Sequence, residues 1–314
     1  MAFKVRIGSR PSRLALAQTE IVRSRLASLI PDLSAEVVEI RTSGDRLATA
    51  SLAGVGGKGL FIRELEQALL EKRIDLAVHS MKDLPAVLAP QFRIAAVAER
   101  EDPRDALVTR DGSPIASLPR GARLGTSSLR RRFQVLKANP NLEISPLRGN
   151  VDTRLQRVME GALDAIVVAM AGLRRLTHGP DVRFTPLDER DFIPAGGQAA
   201  LAIETLAKTS SPQLDRALAV VNDSRARFET TAERAFLAAI GASCATPVGV
   251  KATLARDAVA LRAILFSSDG SAELSDGFEE PLDVDLAPSA AQSLGTRLGE
   301  RMLARGADRL IAND

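Results

Sequence analysis

The sequence has 314 residues and a formal net charge of only +3, long enough for two or three cores and too weakly charged to argue for a nucleic-acid partner. One cysteine and two histidines exclude an internal disulfide framework, a cysteine-held metal and a zinc site built on histidine. There is no Tyr or Trp, so the cores must rest on Leu, Ile, Val and Ala, and the aromatics that a stacking platform for single-stranded nucleic acid needs are scarce. Lysine occurs only at Lys4, Lys58, Lys72, Lys82, Lys137, Lys208 and Lys251. Arginine therefore carries most of the positive charge, and it is the better fork for carboxylate and phosphate.

The chain enters a strand-like pattern at 5–7 without the apolar core of a signal peptide, and no apolar run is long enough to span a membrane. A cytosolic, metal-independent protein is expected. Leu14, Ile21, Val22, Leu26 and Leu29 fall near helical spacing and predict a helix over 13–29, which Pro31 ends. A strand follows over 35–41. Residues 42–58 are rich in Gly, Ser and Ala, and a loop of that length is functional or mobile. Phe61, Leu65 and Leu69 predict a helix over 60–72 with one apolar face. Residues 74–79 read as a buried strand, after which the chain turns at Ser80-Met81-Lys82-Asp83-Leu84-Pro85.

A strand over 92–98 runs into Glu99-Arg100-Glu101-Asp102-Pro103-Arg104, a charged candidate crossing between domains. A second alternation follows: strands 106–109 and 123–125, helix 128–137, strand 143–145, helix 152–160 and strand 165–169. Pro194-Ala195-Gly196-Gly197 reads as the return crossing. From residue 220 the order becomes α+β, with helix 224–240, strands 250–254 and 260–266, and a last helix over 290–305. No short internal repeat is visible. Ligands of α/β sheets bind beyond the carboxyl ends of strands. Polar clusters stand at such ends at Ser9-Arg10, 80–83, 126–131 and 148–150, so a cleft between two such domains is the expected site.

Five clusters carry chemistry. Thr126 or Ser127 is placed to cap the helix that opens after Gly125, and Arg130, Arg131 and Arg132 then fall in or near its first turn. Cations there oppose the helix dipole. An anionic ligand would explain them; the alternative is a solvated basic face. Arg148-Gly149-Asn150-Val151-Asp152-Thr153-Arg154 repeats the theme, with Gly149 in a tight turn, Asp152 as a candidate cap and Arg154 in the first helical turn. In His79-Ser80-Met81-Lys82-Asp83 a carboxylate beside a lysine can hold a cation or move a proton, against the commoner local Lys–Asp pair. His79 and Ser80 face opposite sides of a strand, so they form no nucleophile pair; His79 is expected as a hydrogen-bonded structural residue and His178 in a turn. Gly56-Gly57-Lys58-Gly59 is either a phosphate cradle without Walker spacing or a mobile lid. Finally, Cys244 stands in Gly241-Ala242-Ser243-Cys244-Ala245-Thr246-Pro247. A free cysteine is usually a buried small hydrophobe, whereas this Gly/Ser/Pro loop argues for access.

Together these motifs resemble the porphobilinogen deaminase family, over essentially the whole chain. Further matching pieces are Gly8-Ser9-Arg10-Pro11-Ser12, Thr42-Ser43-Gly44-Asp45, Gly59-Leu60-Phe61, Ala171-Gly172-Leu173 and Thr231-Ala232-Glu233-Arg234. The resemblance implies two α/β domains of the type II periplasmic-binding-protein kind flanking a cleft, plus a smaller α+β C-terminal domain. Their expected extents are 1–99 with 200–219, 100–199 and 220–314. It implies a dipyrromethane cofactor held covalently by Cys244, one per chain, on which porphobilinogen units couple head-to-tail with loss of ammonia. Four of these units would be released as the linear tetrapyrrole.

By the same resemblance Asp83 is the catalytic carboxylate. Ser80, Lys82, Thr126, Ser127, Ser128, Arg130, Arg131, Arg148 and Gly149 would hold the cofactor. Arg10, Ser12, Lys58, Phe61, Arg148, Arg154, Arg175 and Gln198 would bind substrate, whose acetate and propionate groups suit arginine. No metal is expected. Two departures stand out: Gly197-Gln198-Ala199 replaces the family's Gly-Gln-Gly, and the cysteine loop differs from the commoner Gly-Gly-Cys-Gln-Val-Pro. The competing expectations are a non-catalytic small-anion binder, against which the cysteine loop argues, and a nucleic-acid binder, against which the charge and aromatic content argue. A cytoplasmic monomer that touches neither nucleic acid nor membrane is expected.

Overall fold

A computed structural model describes residues 3–30, 32–47, 62–176, 182–208, 211–243, 245–281 and 287–311, the side chains of 46 and 47 excepted. Its elements divide into two compact units, 1–101 with 200–227 and 102–199 with 228–314.

The first unit holds β1 (Phe3–Ser9), α1 (Arg13–Leu29), β2 (Leu33–Glu39), α2 (Ser43–Leu47), α3 (Arg63–Leu70), β3 (Leu76–Ser80) and β4 (Phe92–Val97). The chain then passes through β5 (Asp105–Thr109), β6 (Arg123–Gly125), α4 (Leu129–Ala138), β7 (Glu143–Ser145), α5 (Val151–Met159), β8 (Ala165–Ala169), α6 (Met170–Arg174) and β9 (Arg183–Pro186) in the second unit. It returns to the first with β10 (Leu201–Leu206) and α7 (Pro212–Val221), and α8 (Ser224–Ala239) leads back. The second unit ends with β11 (Val248–Leu254), β12 (Ala258–Phe266), β13 (Glu273–Pro281), α9 (Pro288–Ala304) and α10 (Ala307–Ile311).

Among the described residues the first sheet runs β2-β1-β3-β10-β4 and the second runs β7-β6-β8-β5-β9. In each, the three strands joined by helices are parallel, and the strand that arrives by a crossing inserts antiparallel beside them. These are two copies of one α/β topology, the periplasmic-binding type the sequence leads one to expect. The likeness reaches single bonds. Arg6 N–H donates to the Asp75 carboxylate and Arg123 N–H to that of Asp164, each at 2.7 Å. Met81 N–H reaches Ala200 O and Met170 N–H reaches Arg104 O, each at 3.0 Å and each just ahead of the inserted strand. Gly8 and Gly125 close the first strand of each copy, where a Cβ would come within 2.4 Å of Ile74 and 2.5 Å of Leu163 respectively. Thus an internal repeat exists that no run of sequence displays.

Helices form where expected, for local reasons. Ser12 caps α1 by accepting from Ala15 N–H, and Val22 and Leu26 bury the face turned to the sheet. In α3, Leu65, Ala68 and Leu69 are the buried face, so the expected apolar stripe holds for its described part. Phe61 lies outside the described residues. Elements not foreseen are α2, inside the stretch read as a loop, with α6, α7, α10, β9, β10 and β13. The three-stranded sheet β11-β12-β13 packs on α8 and α9 through Phe228, Phe236, Leu261, Leu298 and Met302. Its outer junction with α4 is formed by Phe133, Ile193, Ile264 and Phe266. Helices α8 and α9 approach so closely at Gly295 that a Cβ there would stand 2.0 Å from the Ala232 carbonyl.

Candidate functional site

In the first unit, β3 delivers Ser80 and a 3-10 turn, Met81–Asp83. Buried Met81 and Leu84 anchor the turn, and Leu84 N–H closes it onto Met81 O. Asp83 itself is exposed and makes no hydrogen bond or ion pair among the described residues, so the local Lys82–Asp83 pair weighed from the sequence does not form. A fixed backbone thus presents an uncommitted carboxylate. Beside it Ser80 Oγ accepts from Gln18 Nε2 at 2.8 Å.

His79 points the other way, 4% exposed, with Nε2 2.9 Å from Oε2 of the fully buried Glu204. That approach is off the direction a hydrogen bond needs. His79 is therefore structural through burial and charge proximity rather than through the bond expected. Burial, and then the nearby Glu204 charge, raise the Glu66 carboxyl above its usual range.

Arg10, expected on substrate, pairs with Asp45 of the Thr42-Ser43-Gly44-Asp45 motif, Nε to Oδ1 at 3.1 Å. Asp45 also accepts from Thr42 N–H and Oγ1–H at 3.1 and 2.7 Å. Burial opposes its charge, yet the Arg10 and Thr42 donors outweigh burial and lower its pKa. Ser12 spends its oxygen as the α1 cap. Lys58, Phe61, His178 and Cys244 lie outside the described residues.

In the second unit the helix cap falls one or two residues later than expected. Ser128, not Thr126 or Ser127, caps α4, accepting from Arg131 N–H. Thr126 Oγ1 instead accepts from Ser128 N–H, and Ser127 Oγ exchanges two bonds of 3.0 Å with the backbone of Leu147. The displacement has a cause: β6 ends at Gly125, and the next two hydroxyls are needed to bind the turn to its neighbours. At α5 the cap position is Asn150, with no side-chain bond, and Asp152 lies in the first turn. Gly149 has φ +103°, the left-handed region that favours glycine, and its carbonyl accepts from Arg154 Nε at 2.8 Å. Arg148 is exposed.

Arg130 and Arg131 are not on a solvated face: they are 5% and 8% exposed. Both grip Asp105, the first residue of β5. Arg130 Nη1 donates to Oδ2 at 2.7 Å, while Arg131 Nε and Nη2 donate to Oδ1 at 3.1 and 2.8 Å. Gln198, fully buried, adds Nε2 to the same Oδ1 at 2.9 Å and to Pro103 O at 2.7 Å. Burial alone would raise the Asp105 carboxyl, but two adjacent guanidinium groups hold it well below the usual carboxylate range. One carboxylate between two guanidiniums leaves a net positive charge at the opening of α4, the end of a helix that favours anions.

Arg175 Nη2 donates to Ala199 O. Ala199 has φ +73°, a conformation that costs a side-chain-bearing residue about 1–2 kcal/mol, and it stands where the family motif has glycine. Sequence reasoning missed Asp105, Asp45 and Glu233 as site components. Asp105 falls between the charged crossing read over 99–104 and the strand read from 106, whereas β5 begins at Asp105 itself.

Among the described residues no group of acidic, His or Cys side chains is placed to hold a metal ion, and no helix is long and apolar enough to cross a membrane. Residues 5–213 match the family described as porphobilinogen deaminase, dipyromethane cofactor binding domain, and residues 227–304 match the porphobilinogen deaminase C-terminal domain. The porphobilinogen deaminase of Sorangium cellulosum (strain So ce56) is 48% identical over 272 residues, covering 86% of this chain and 89% of that one. That of Roseiflexus sp. (strain RS-1) is 46% identical over 307 residues, covering 98% of each. That of Syntrophotalea carbinolica is 43% identical over 309 residues, covering 98% of this chain and 95% of the relative.

Proposed function

This chain belongs to the porphobilinogen deaminase family, and we propose that it holds its dipyrromethane through a thioether at Cys244 and works on it with Asp83 and a set of arginines. Its activity is the synthesis of hydroxymethylbilane from porphobilinogen in tetrapyrrole formation. When bound, the dipyrromethane supplies the free pyrrole end on which porphobilinogen couples with loss of ammonia, four units making the released product.

The residues present suit that group. Every pyrrole unit brings an acetate and a propionate, and the observation that supports the reading best is the arginine pair at α4. Arg130 and Arg131 share one carboxylate, and Arg130 commits only Nη1 to protein acceptors. Its Nε–H and Nη2–H groups meet no acceptor among the described residues, a fork that matches a carboxylate. Ser80, Lys82, Thr126, Ser127, Ser128, Arg148 and Gly149 complete the cofactor set. Arg10, Ser12, Lys58, Phe61, Arg148, Arg154 and Arg175 take the incoming carboxylates, with Gln198 in support. Asp83, exposed and unpaired, accepts hydrogen bonds from pyrrole N–H groups and stabilises the positive charge that develops as ammonia leaves. Preorganised charge of this kind is the largest catalytic contribution such a site can make.

Intact mass spectrometry tests the attachment. After exposure to porphobilinogen the parent chain gains the mass of one dipyrromethane, and Cys244→Ala gains none; a stable adduct on Cys244→Ala would remove the thioether assignment. The same reading takes a cytoplasmic monomer that needs neither nucleic acid nor membrane. Light scattering at micromolar concentration checks the monomer, and twice the chain mass would overturn it.

A further inference from the structure

The two copies of the α/β topology allow each position in one to be compared with its counterpart in the other. Matching the caps Ser12 and Ser128 aligns Leu14 with Arg130 and Ala15 with Arg131. Matching the inserted strands at their first residues aligns Leu201 with Asp105. At the corresponding positions the first copy therefore carries Leu14, Ala15 and Leu201, and the second two arginines and an aspartate. Nothing in the topology demands the ionic version. It is also the costlier one: desolvating three charges is repaid only by good geometry, and apolar replacement of such a cluster is often neutral or stabilising. The arginines and their carboxylate are thus retained for something other than stability.

The bonding divides the labour between them. Arg131 is consumed by the protein: Nε and Nη2 by Asp105, Nη1 by Val167 O at 3.2 Å, and Nη2 again by Gln198 Oε1 at 3.5 Å. Arg130 is pinned at one nitrogen only, Nη1 to Asp105 and to Ile193 O at 2.8 Å. Gln134 holds Ile193 in turn, accepting from its N–H at 2.7 Å and donating to its carbonyl at 3.2 Å. Asp105 is itself held by Gln198, whose amide is fixed to Pro103 O.

We propose that Asp105 is a positioning residue for carboxylate recognition: braced by Gln198 and Arg131, it fixes the Arg130 guanidinium by Nη1, so that the Nε and Nη2 edge is presented, already oriented, to a carboxylate of the pyrrole chain. Gln198 then acts through Asp105 rather than on substrate. This rests on the porphobilinogen deaminase reading. A guanidinium oriented beforehand loses less freedom when its ligand arrives, which appears as affinity.

The test is dipyrromethane loading, read by intact mass over a series of porphobilinogen concentrations, alongside a thermal melt. Asp105→Asn keeps the shape and removes the charge. It is expected to raise the half-saturating concentration for loading at least tenfold in the folded fraction, and Asp105→Glu is expected to recover part of that shift even where its Tm stays low. A purely structural role would move Tm and leave the half-saturating concentration of the folded fraction unchanged; that result overturns the proposal. Should Asp105→Asn fail to fold, Gln198→Met carries the test, because it keeps all three charges and removes only the brace. A several-fold rise supports the proposal, and parental loading refutes it. Failure of the parent chain itself to gain mass would instead count against the proposed dipyrromethane attachment at Cys244, so the two failures are distinguishable.

Discussion

Asp83→Ala folds like the parent and makes hydroxymethylbilane slower by a factor on the order of 10³. The two halves of this expectation come from different observations. The fold survives because Asp83 is exposed and bonds to nothing described. The turn that carries it is held instead by Met81 N–H on Ala200 O and Leu84 N–H on Met81 O, with both of those side chains buried. Substitutions at such positions change stability by only about 0.5 kcal/mol. Activity is lost because no other carboxylate stands on that turn, and a neutral side chain cannot stabilise the charge that develops as ammonia leaves. Asp83→Asn keeps the shape and is expected to lose nearly as much, since charge rather than volume is at issue. Steady-state formation of product, with a melting curve as control, reads both halves. Near-parental turnover in Asp83→Ala would remove the residue from the mechanism.

The main elements of the fold were legible because they announce themselves locally. Leu65 and Leu69 give α3 its stripe, and Gly8 and Gly125 mark strands that end against packed side chains. The repeat was not legible, since its signals are single residues separated by long intervals. Arg6 and Asp75 are 69 residues apart, and Arg123 and Asp164 are 41 apart. Only the parallel registers Ile7 with Leu76 and Leu124 with Ala165 bring them together. Strand β10 was missed for a related reason. Leu201–Leu206 shows no alternation: it is a central strand between β3 and β4, and its buried positions include Glu204 and Thr205 as well as Leu201 and Ile203. Periodicity cannot distinguish such a strand from other buried segments.

The site divides in the same way. Arginines in the first turn of a helix were visible as a charge in the wrong place, and the inference of an anion followed from the dipole alone. The first anion they meet is internal, however. Asp105 is 25 and 26 residues from its partners, reached across β5 and β6, and no spacing rule links them. Sequence can show that charge must be compensated; it cannot show whether the compensating group is a ligand, the protein, or both in part. Here Arg131 is compensated by the protein and Arg130 only at one nitrogen.

Glu233→Ala is expected to lower Tm by roughly 10 °C, because it removes about 3–5 kcal/mol from a unit in which each kcal/mol is worth about 2–4 °C. The Thr231-Ala232-Glu233-Arg234 motif matched the family without suggesting a role. The structure supplies one. Glu233 is fully buried on α8, and its two oxygens accept from different segments: Oε2 from Gly197 N–H at 2.6 Å and Oε1 from Ala252 N–H at 2.9 Å. One side chain thereby ties the return crossing to β11. The crossing depends on it, because Gly197 at φ +74° and Ala199 at φ +73° form a corner that local preference alone would not hold. Truncation strands two buried N–H groups and releases that corner. Glu233→Gln retains one acceptor and turns the other toward an N–H as a second donor, so its cost should be smaller but still more than half. Gln198 directly follows Gly197, so loosening the corner also loosens the brace on Asp105. Dipyrromethane loading should therefore weaken in Glu233→Ala even below its lowered Tm. A melting temperature within 2–4 °C of the parent, the shift expected for only about 1 kcal/mol, would show that the crossing is held by something other than this carboxylate.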